Sequence, residues 1–329
     1  MPDIKLTMAM SEADHLVDIM SGRLKPEGIE LTCLTLEIEE VFWRFIKYRE
    51  WDISEMSMGK YVSMLSQGDT SIIALPVFAS RVFRHASFFV RRDGPVQSPA
   101  DLEGKRIGIP EWAQTAAVYS RGLIQHEWGI DLAAIDWVQA GVNQPGRVEK
   151  VDLKLPKGVR ITPRPDASLS AMLQSGEIDV AMCARPPDCF IQHDPNVVRL
   201  FPDYREVELA YFKRTGVFPI MHVIAMKRTV LDQHPWVAMN MMHVFEEAKR
   251  RSIARARDAT AARYPMPWHW THAEWVAETF GEDFWPYGLE PNRRTLQAFV
   301  DWAHEQGVCH RRVALDELFP RQLETRFKV

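Results

Sequence analysis

Residues 101–126 read DLEGKRIGIPEWAQTAAVYSRGLIQH and contain one complete strand-and-helix unit. The run Arg106–Ile109 predicts a short strand, and residues 114–126 predict a helix that begins soon after it. Turn-forming residues precede the unit at 92–95 and 98–99, which suits a crossover between two parts of a fold. A strand followed closely by a helix is the building unit of α/β proteins.

The same unit recurs on both sides of this segment. Apolar alternation predicts strands at 4–10, 29–36, 52–57, 71–77, 87–91, 135–139, 159–162, 178–183 and 220–226, and helices at 41–49, 60–66, 168–174, 235–257, 271–280 and 292–306. Alternating strands and helices favour mostly parallel sheets, with a ligand cleft at the carboxyl ends of the strands. A helix leads into an apolar–Asp–apolar run at 50–56 and again at 177–182, which indicates two similar lobes.

The segment 101–109 resembles the one that opens the second lobe of many solute-binding proteins. We therefore expect an α/β fold of the type 2 periplasmic-binding-protein kind, with a cleft between its lobes. Lobe I comprises residues 1–92 and 206–329, including the C-terminal helices. Lobe II is inserted at 93–205.

The bulk properties exclude several classes of partner. The chain has 329 residues, 46% of them hydrophobic, and a formal net charge of −4. Neither nucleic acid nor a membrane surface is an expected partner at this charge, and no apolar run is long enough to span a bilayer. A strand pattern begins at Ile4 with no leader-like pattern before it, so we expect a cytoplasmic protein. The sequence leaves open whether the chain forms a homo-oligomer.

The motifs of common cofactor and metal sites are missing from the sequence. The four cysteines form no C-x-x-C pair and fit no zinc spacing, so we expect reduced thiols and no metal site. There is no G-x-G-x-x-G, Walker A or G-x-S-x-G motif, which argues against dinucleotide, nucleotide and serine-hydrolase functions.

Two arginines and a histidine lie close together before the crossover, at Arg81, Arg84 and His85. A guanidinium matches a carboxylate through two parallel hydrogen bonds, and histidine exchanges protons near neutrality. Strand alternation puts Phe83 and His85 on one face and Arg84 on the other, so the three cannot all enter a cleft.

A second group follows the strand Arg106–Ile109. Trp112, Gln114 and Thr115 lie where a helix begins, and free amides at a helix start attract anions. We expect the Thr115 hydroxyl and these amides to bind a carboxylate, with Trp112 as an aromatic wall.

Further candidates lie at other predicted strand ends. They are Asp14 and His15 after the first strand, Ser54 and Glu55 in the third, Arg185 at the end of a second-lobe strand, and His222 beside the return crossing. Arg185 could close on an anion from the side opposite lobe I.

Three stretches carry a more specific likeness: residues 215–222 (TGVFPIMH), 234–238 (HPWVA) and 280–289 (FGEDFWPYGL). They resemble the 4,5-dihydroxyphthalate decarboxylase family. The resemblance implies conversion of 4,5-dihydroxyphthalate to protocatechuate and carbon dioxide in bacterial phthalate breakdown. No cofactor is implied, although a divalent metal is not excluded. The first loop has Ala13-Asp14-His15 where the family carries a Tyr-Asp-Arg-like run, which leaves a related aromatic acid open as substrate.

This chemistry needs a clamp for one carboxylate, a base at the phenol and an acid near the ring carbon that loses the other carboxylate, and the sequence leaves open which histidine is the acid and which the base. We assign the clamp to Arg81 or Arg84 with Thr115, and proton transfer to His85 and His222, oriented by Glu55 or Asp14. Two alternatives remain: a non-catalytic receptor for an aromatic carboxylate, of the ABC-transporter type, and a cofactor-biosynthesis enzyme on the same fold.

Overall fold

The computed structural model describes residues 3–261 and 263–323. Its strands are β1 Ile4–Met10, β2 Ile29–Thr35, β3 Ile53–Ser57, β4 Ile72–Arg81, β5 Phe88–Arg91, β6 Arg106–Ile109, β7 Asp136–Gly141, β8 Ile161–Ser168, β9 Val180–Met182, β10 Val197–Arg199 and β11 Ile220–Lys227. Its helices are α1 Val17–Met20, α2 Ile38–Tyr48, α3 Met58–Ser66, α4 Thr115–Gly122, α5 Leu169–Ser175, α6 Asp188–Ile191, α7 Tyr204–Thr215, α8 Arg228–Gln233, α9 Val237–Ala256, α10 His269–Phe280 and α11 Arg293–Glu305.

The strands form two separate sheets. The first has the order β2-β1-β3-β11-β4, and the second has the order β10-β5-β9-β6-β7-β8. In the first sheet β1 is parallel to β2 and β3, whereas β11 runs antiparallel to β3 and β4. In the second sheet β6 is parallel to β7 and β9, and β5 is antiparallel to β9 and β10. Two mixed sheets with helices between their strands confirm the predicted α/β class.

The chain passes between the sheets twice. It leaves the first sheet after β4 and joins the second at β5, and it returns through α7 to β11. Residues 88–91, which the sequence prediction placed in lobe I, are hydrogen-bonded into the second sheet. The predicted lobe limits themselves stay a prediction.

The direction of β11 matters for the site. Because β11 is antiparallel to its neighbours, its first residues lie at the same edge as the last residues of β3 and β4. His222 is paired with Ser57 on one side and Ser80 on the other. A histidine near the start of this strand therefore reaches the edge where ligands bind in open α/β sheets.

The long C-terminal helices complete the structure. The α11 helix packs against α3, which follows β3, and against α4, which follows β6. The Trp112 indole nitrogen donates to the Gln306 carbonyl just after α11, at 2.7 Å. None of the helices in the described ranges is long and apolar enough to cross a membrane.

Candidate functional site

A cleft of about 1040 Å³ lies between the two sheets. Its lining comes from α2 and from loops at strand ends of both sheets, as strand direction predicts. The polar and charged side chains that line it are Ser57, Lys60, Ser80, Arg84, Glu111, Gln114, Thr115, Asn143, Gln144, Arg147, Lys150, Arg185 and His222, together with Glu39 and Lys47. The predicted residues Arg84, Gln114, Thr115, Arg185 and His222 are thus brought together.

A histidine–carboxylate pair stands at one wall of this cleft. His222 Nδ1 lies 2.7 Å from Glu55 Oε1, and the other Glu55 oxygen accepts from the Ser11 amide at 2.9 Å and the Ser11 hydroxyl at 2.6 Å. The Phe42 ring meets the His222 ring edge to face at 4.9 Å. One hydrogen bond and one aromatic contact hold the imidazole, and the two hydrogen bonds from Ser11 hold the carboxylate that orients it.

Glu55 is held as an anion. Burial on its own raises the pKa of this carboxyl, but the hydrogen bond and charge of His222 and the hydrogen bonds from Ser11 outweigh burial and lower the pKa. An ionised carboxylate can only accept hydrogen bonds. His222 Nδ1 is therefore the donor to Glu55, which leaves Nε2 as the nitrogen available to a ligand.

Arg84 is a buried cation at the cleft. Only 6% of the residue is exposed, and its Nε has no hydrogen-bond partner among the residues that the structure describes. Burial lowers the pKa of the guanidinium to about 10, opposed by the charge of Glu208, so Arg84 remains charged at neutral pH. A buried donor without a partner is costly, and an anionic ligand supplies what it lacks. Arg185 is exposed at the same cleft, on the second-sheet side.

Two amides just before α4 are bonded within the protein. Glu149 Oε2 accepts from the amides of Trp112 at 2.6 Å and Ala113 at 3.2 Å. The Thr115 hydroxyl accepts from the Gly59 amide at 2.9 Å and contacts the Ser57 hydroxyl at 2.9 Å. Thr115 therefore joins the two sides of the cleft, and its role as a clamp for a ligand carboxylate stays a prediction.

A cluster of ion pairs, unforeseen from the sequence, also bridges the cleft. Lys60 Nζ lies 2.6 Å from Glu111 Oε2, and both residues are at most 5% exposed. Arg147 pairs with Glu111 at 2.6 Å and reaches across to Glu39 on α2 at 2.8 Å. One sequence signal was present, because Lys60 is a charge within the otherwise apolar first turns of α3. Its partner is 51 residues away and could not be inferred.

Replacing Glu111 by glutamine is expected to lower the free energy of unfolding at pH 7 by roughly 1.5–3 kcal/mol. Burial raises the pKa of Glu111, but the charges of Lys60, Arg147 and Lys150 outweigh it and hold the pKa below its ordinary value. A carboxylate with a lowered folded-state pKa stabilises the fold above its unfolded pKa of about 4.3, and this stabilisation is lost as pH falls through the folded value.

The difference between wild type and this variant should therefore shrink between pH 7 and pH 3 in urea unfolding. The exposed pair of Glu290 with Arg293 offers a control, since Glu290→Gln is expected to change stability little at either pH. An equal difference for the Glu111 variant at both pH values would contradict the role of its charge.

Arg81 lies away from the cleft. Its guanidinium donates to the carbonyls of Phe218 at 3.3 Å and Pro286 at 2.9 Å and to the Asn292 side chain. Arg81 ties β4 to the C-terminal segment and does not line the cleft, so its assignment as the clamp is corrected.

His85 is also placed elsewhere. It is 1% exposed and is surrounded by the rings of Trp128, Phe201 and Tyr211 at 5.3–6.3 Å. Burial lowers its pKa to about 4, with the charge of Arg214 acting in the same direction. A histidine that is neutral and enclosed does not exchange protons with a ligand in the cleft.

Asp14 and His15 do follow the carboxyl end of β1, but their turn packs against α9. Asp14 accepts from the Ser252 hydroxyl at 2.6 Å and pairs with Arg255 at 3.2 Å. His15 packs on Trp285 with ring centroids 5.6 Å apart, and burial lowers its pKa to about 4. The first loop instead contributes Ser11, which contacts Glu55.

Ser54 and Trp112 are buried as well. The Ser54 hydroxyl donates to the Glu55 carbonyl at 2.9 Å and accepts from the Trp51 indole at 2.9 Å. The Trp112 ring is covered by the Arg121 guanidinium at 3.7 Å. Both residues support the site from behind and do not line it.

Within residues 3–261 and 263–323, no three His, Cys, Asp or Glu side chains are grouped closely enough to hold a metal ion together. The prediction that the chain works without a cofactor stays a prediction.

The sequence is similar to those of two known enzymes. It is 35% identical over 331 aligned residues to a 4,5-dihydroxyphthalate decarboxylase of Comamonas testosteroni, with all of both chains covered. It is 36% identical over 204 residues to the enzyme of that name from Pseudomonas putida, covering 62% of this chain and 79% of the other. No family model matches the sequence.

Solved structures show the same fold at low identity. The aliphatic sulphonate binding protein SsuA of Escherichia coli aligns with a TM-score of 0.56 and 12% identity, covering 98% of this chain and 99% of that one. The desulfurization enzyme DSZB aligns with a TM-score of 0.51 and 20% identity, covering 97% of each chain. The predicted two-lobed binding-protein fold is confirmed. The full-length identity carries the comparison further: this chain belongs to the 4,5-dihydroxyphthalate decarboxylase family.

Proposed function

We propose that this protein decarboxylates 4,5-dihydroxyphthalate to protocatechuate and carbon dioxide, without a cofactor, as a cytoplasmic step of phthalate degradation. The observation that supports it best is the pair His222–Glu55, which faces the same cleft as the buried Arg84 in a member of this family. The cleft combines a cation for a carboxylate with a proton carrier beside it.

The arginines position the substrate. Arg84 binds the carboxylate that stays on the ring, because its buried guanidinium lacks a partner on Nε. Arg185 approaches from the second-sheet side and neutralises the remaining negative charge. The Phe42 ring lines the cleft beside His222 and offers an apolar surface to the aromatic ring of the substrate.

His222 supplies the proton to carbon. With Nδ1 held by Glu55, protonated His222 delivers the Nε2 proton to the ring carbon that carries the leaving carboxylate. The hydroxyl para to that carbon donates electron density, which makes the protonation possible. The bond to the carboxylate then breaks, its electron pair restores the aromatic ring, carbon dioxide leaves, and water returns a proton to His222. Glu55 stabilises the imidazolium before the proton is transferred and again when it is regained.

A receptor that only binds an aromatic acid is the other reading of this fold. A receptor needs the arginines to bind an anion. It does not need an imidazole beside the ligand that is oriented by a buried carboxylate. The likeness to sulphonate-binding proteins, at 12% identity, concerns the fold alone. The family relationship and the His222–Glu55 pair both favour catalysis.

Purified protein mixed with 4,5-dihydroxyphthalate is expected to release one carbon dioxide per protocatechuate formed, at the same rate with or without excess chelator. Product is measured by liquid chromatography and gas release by a coupled assay. Substrate recovered unchanged, with and without added divalent metals, would favour the receptor. If chelator abolishes the rate and added metal restores it, the decarboxylation stands, but the proposal that it needs no cofactor is wrong.

A further inference from the structure

A second cavity lies behind the segment that carries Arg84. It has a volume of about 480 Å³ and is lined mainly by rings. We call it the aromatic cavity and define it by Phe83, Phe218, Trp275, Phe280, Phe284 and Trp285. It occupies the space between α7, α10 and the two segments that connect the sheets. None of the proposed chemistry uses it.

The aromatic cavity is separate from the cleft. Phe83 lines the aromatic cavity and Arg84, the next residue, lines the cleft. The two cavities share no lining residue. The chain segment 83–86 therefore forms a partition, and a molecule in the aromatic cavity does not touch His222 or Arg84.

The walls consist largely of aromatic rings that pack on one another. Phe83 stacks on Phe218 with centroids 4.8 Å apart, and Trp285 meets Phe218 edge-on at 5.7 Å. Ligand sites are concave, mostly apolar and about 300–1,000 Å³ in volume, with a few polar groups that orient the ligand. The aromatic cavity has these properties, and its rings favour offset or edge contacts with another ring.

One buried polar atom in the lining is left without a partner. His269 is 7% exposed, lines the aromatic cavity, and its Nε2 has no hydrogen-bond partner in residues 3–261 and 263–323. An unpaired buried nitrogen costs about 1–3 kcal/mol, so a ligand hydroxyl that bonds to it is favoured.

The lining has one carboxyl group and one guanidinium, so it favours neither an anion nor a cation. Glu208 lines the aromatic cavity and accepts from the Ala86 amide at 3.2 Å. The guanidinium of Arg205 lies over the Trp275 ring at 5.3 Å, at the exposed rim. We propose that the aromatic cavity is a binding site for an uncharged planar aromatic molecule that carries a hydroxyl group, distinct from the substrate cleft and independent of the reaction assigned to it.

The probe for this proposal is 2-naphthol, titrated calorimetrically into the full-length protein. We expect binding to wild type and at least tenfold weaker binding to Val276→Trp, because the added indole fills the aromatic cavity. Two controls are expected to bind like wild type: Ala210→Trp, at an exposed position of α7, and Arg84→Met, in the cleft. Equal binding by Val276→Trp, or no binding by wild type, would overturn the proposal.

A second variant keeps the test decisive if Val276→Trp does not fold. His269→Phe preserves an aromatic ring and removes Nε2, so 2-naphthol should bind at least threefold more weakly while 2-methylnaphthalene is unaffected. In crystals soaked with 6-bromo-2-naphthol, the anomalous bromine peak is expected among the six rings. A bromine peak in the cleft would refute the proposed ligand site. So would self-association of the wild-type protein that is abolished by Val276→Trp while no probe binds, because the aromatic cavity would then be a contact between copies of the chain.

Discussion

Replacing His222 by glutamine is expected to lower the turnover of 4,5-dihydroxyphthalate by about 10²- to 10⁴-fold, the usual contribution of a general acid. Glutamine keeps a hydrogen-bonding side chain toward Glu55 but cannot carry a proton to the ring carbon. The residue is partly exposed at the cleft, so the fold should survive the change. Turnover is measured by protocatechuate formation, and folding by circular dichroism and urea unfolding.

The chain offers a matched control for this variant. His126 Nε2 pairs with Glu305 at the same distance of 2.7 Å, but on the surface and away from the cleft. His126→Gln is expected to turn over like wild type. A His222→Gln enzyme with wild-type turnover would remove the proton donor from the account, whatever its effect on substrate affinity.

Replacing Arg84 by methionine is expected to weaken the binding of phthalate by roughly thirtyfold or more. Losing one partner of a buried, hydrogen-bonded charge pair costs about 2–5 kcal/mol, and each 1.4 kcal/mol is about tenfold in affinity. Methionine preserves most of the apolar stem and its packing while removing the guanidinium. Calorimetric titration with phthalate, which lacks the hydroxyls and is not expected to react, isolates the binding step.

Arg199 provides the comparison for the Arg84 variant. It is half-buried nearby, donates to the Ala86 carbonyl at 3.1 Å and does not line the cleft. Arg199→Met is expected to leave phthalate affinity unchanged within about twofold. Equal losses in both variants would indicate a general disturbance of this segment, and an unchanged affinity in Arg84→Met would show that the carboxylate is bound elsewhere.

Some residues of the cleft could be predicted from the sequence, because the direction of a strand alone decides whether its end lies at the cleft. His222 and Arg185 follow this rule, because each lies next to a strand end that points to the cleft. Strand alternation does not explain the separation of Arg84 from His85, because β4 ends at Arg81 and His85 begins a short 3-10 helix. The structure has Arg84 in the cleft and His85 among aromatic rings.

The predictions that failed have a common physical cause: the residue has a bonding partner far away in the sequence. Nothing near Arg81 indicates that its guanidinium is bound by Asn292, 211 residues later. Glu149 accepts a hydrogen bond from the Trp112 amide, just before α4, from 37 residues away. Candidate cations and amides can be recognised from the nearby sequence. Whether they are already hydrogen-bonded within the protein depends on tertiary contacts, which the sequence does not show.

The central claim is that one cleft holds a carboxylate on Arg84 and presents the neighbouring ring carbon to His222. A crystal structure of the slow His222→Gln variant with 4,5-dihydroxyphthalate tests this most directly. We expect intact substrate in the cleft, with one carboxylate hydrogen-bonded to the Arg84 guanidinium and the carbon that bears the other carboxylate facing residue 222. Substrate bound with its carboxylates away from Arg84, or with position 222 facing only its hydroxyls, would contradict it.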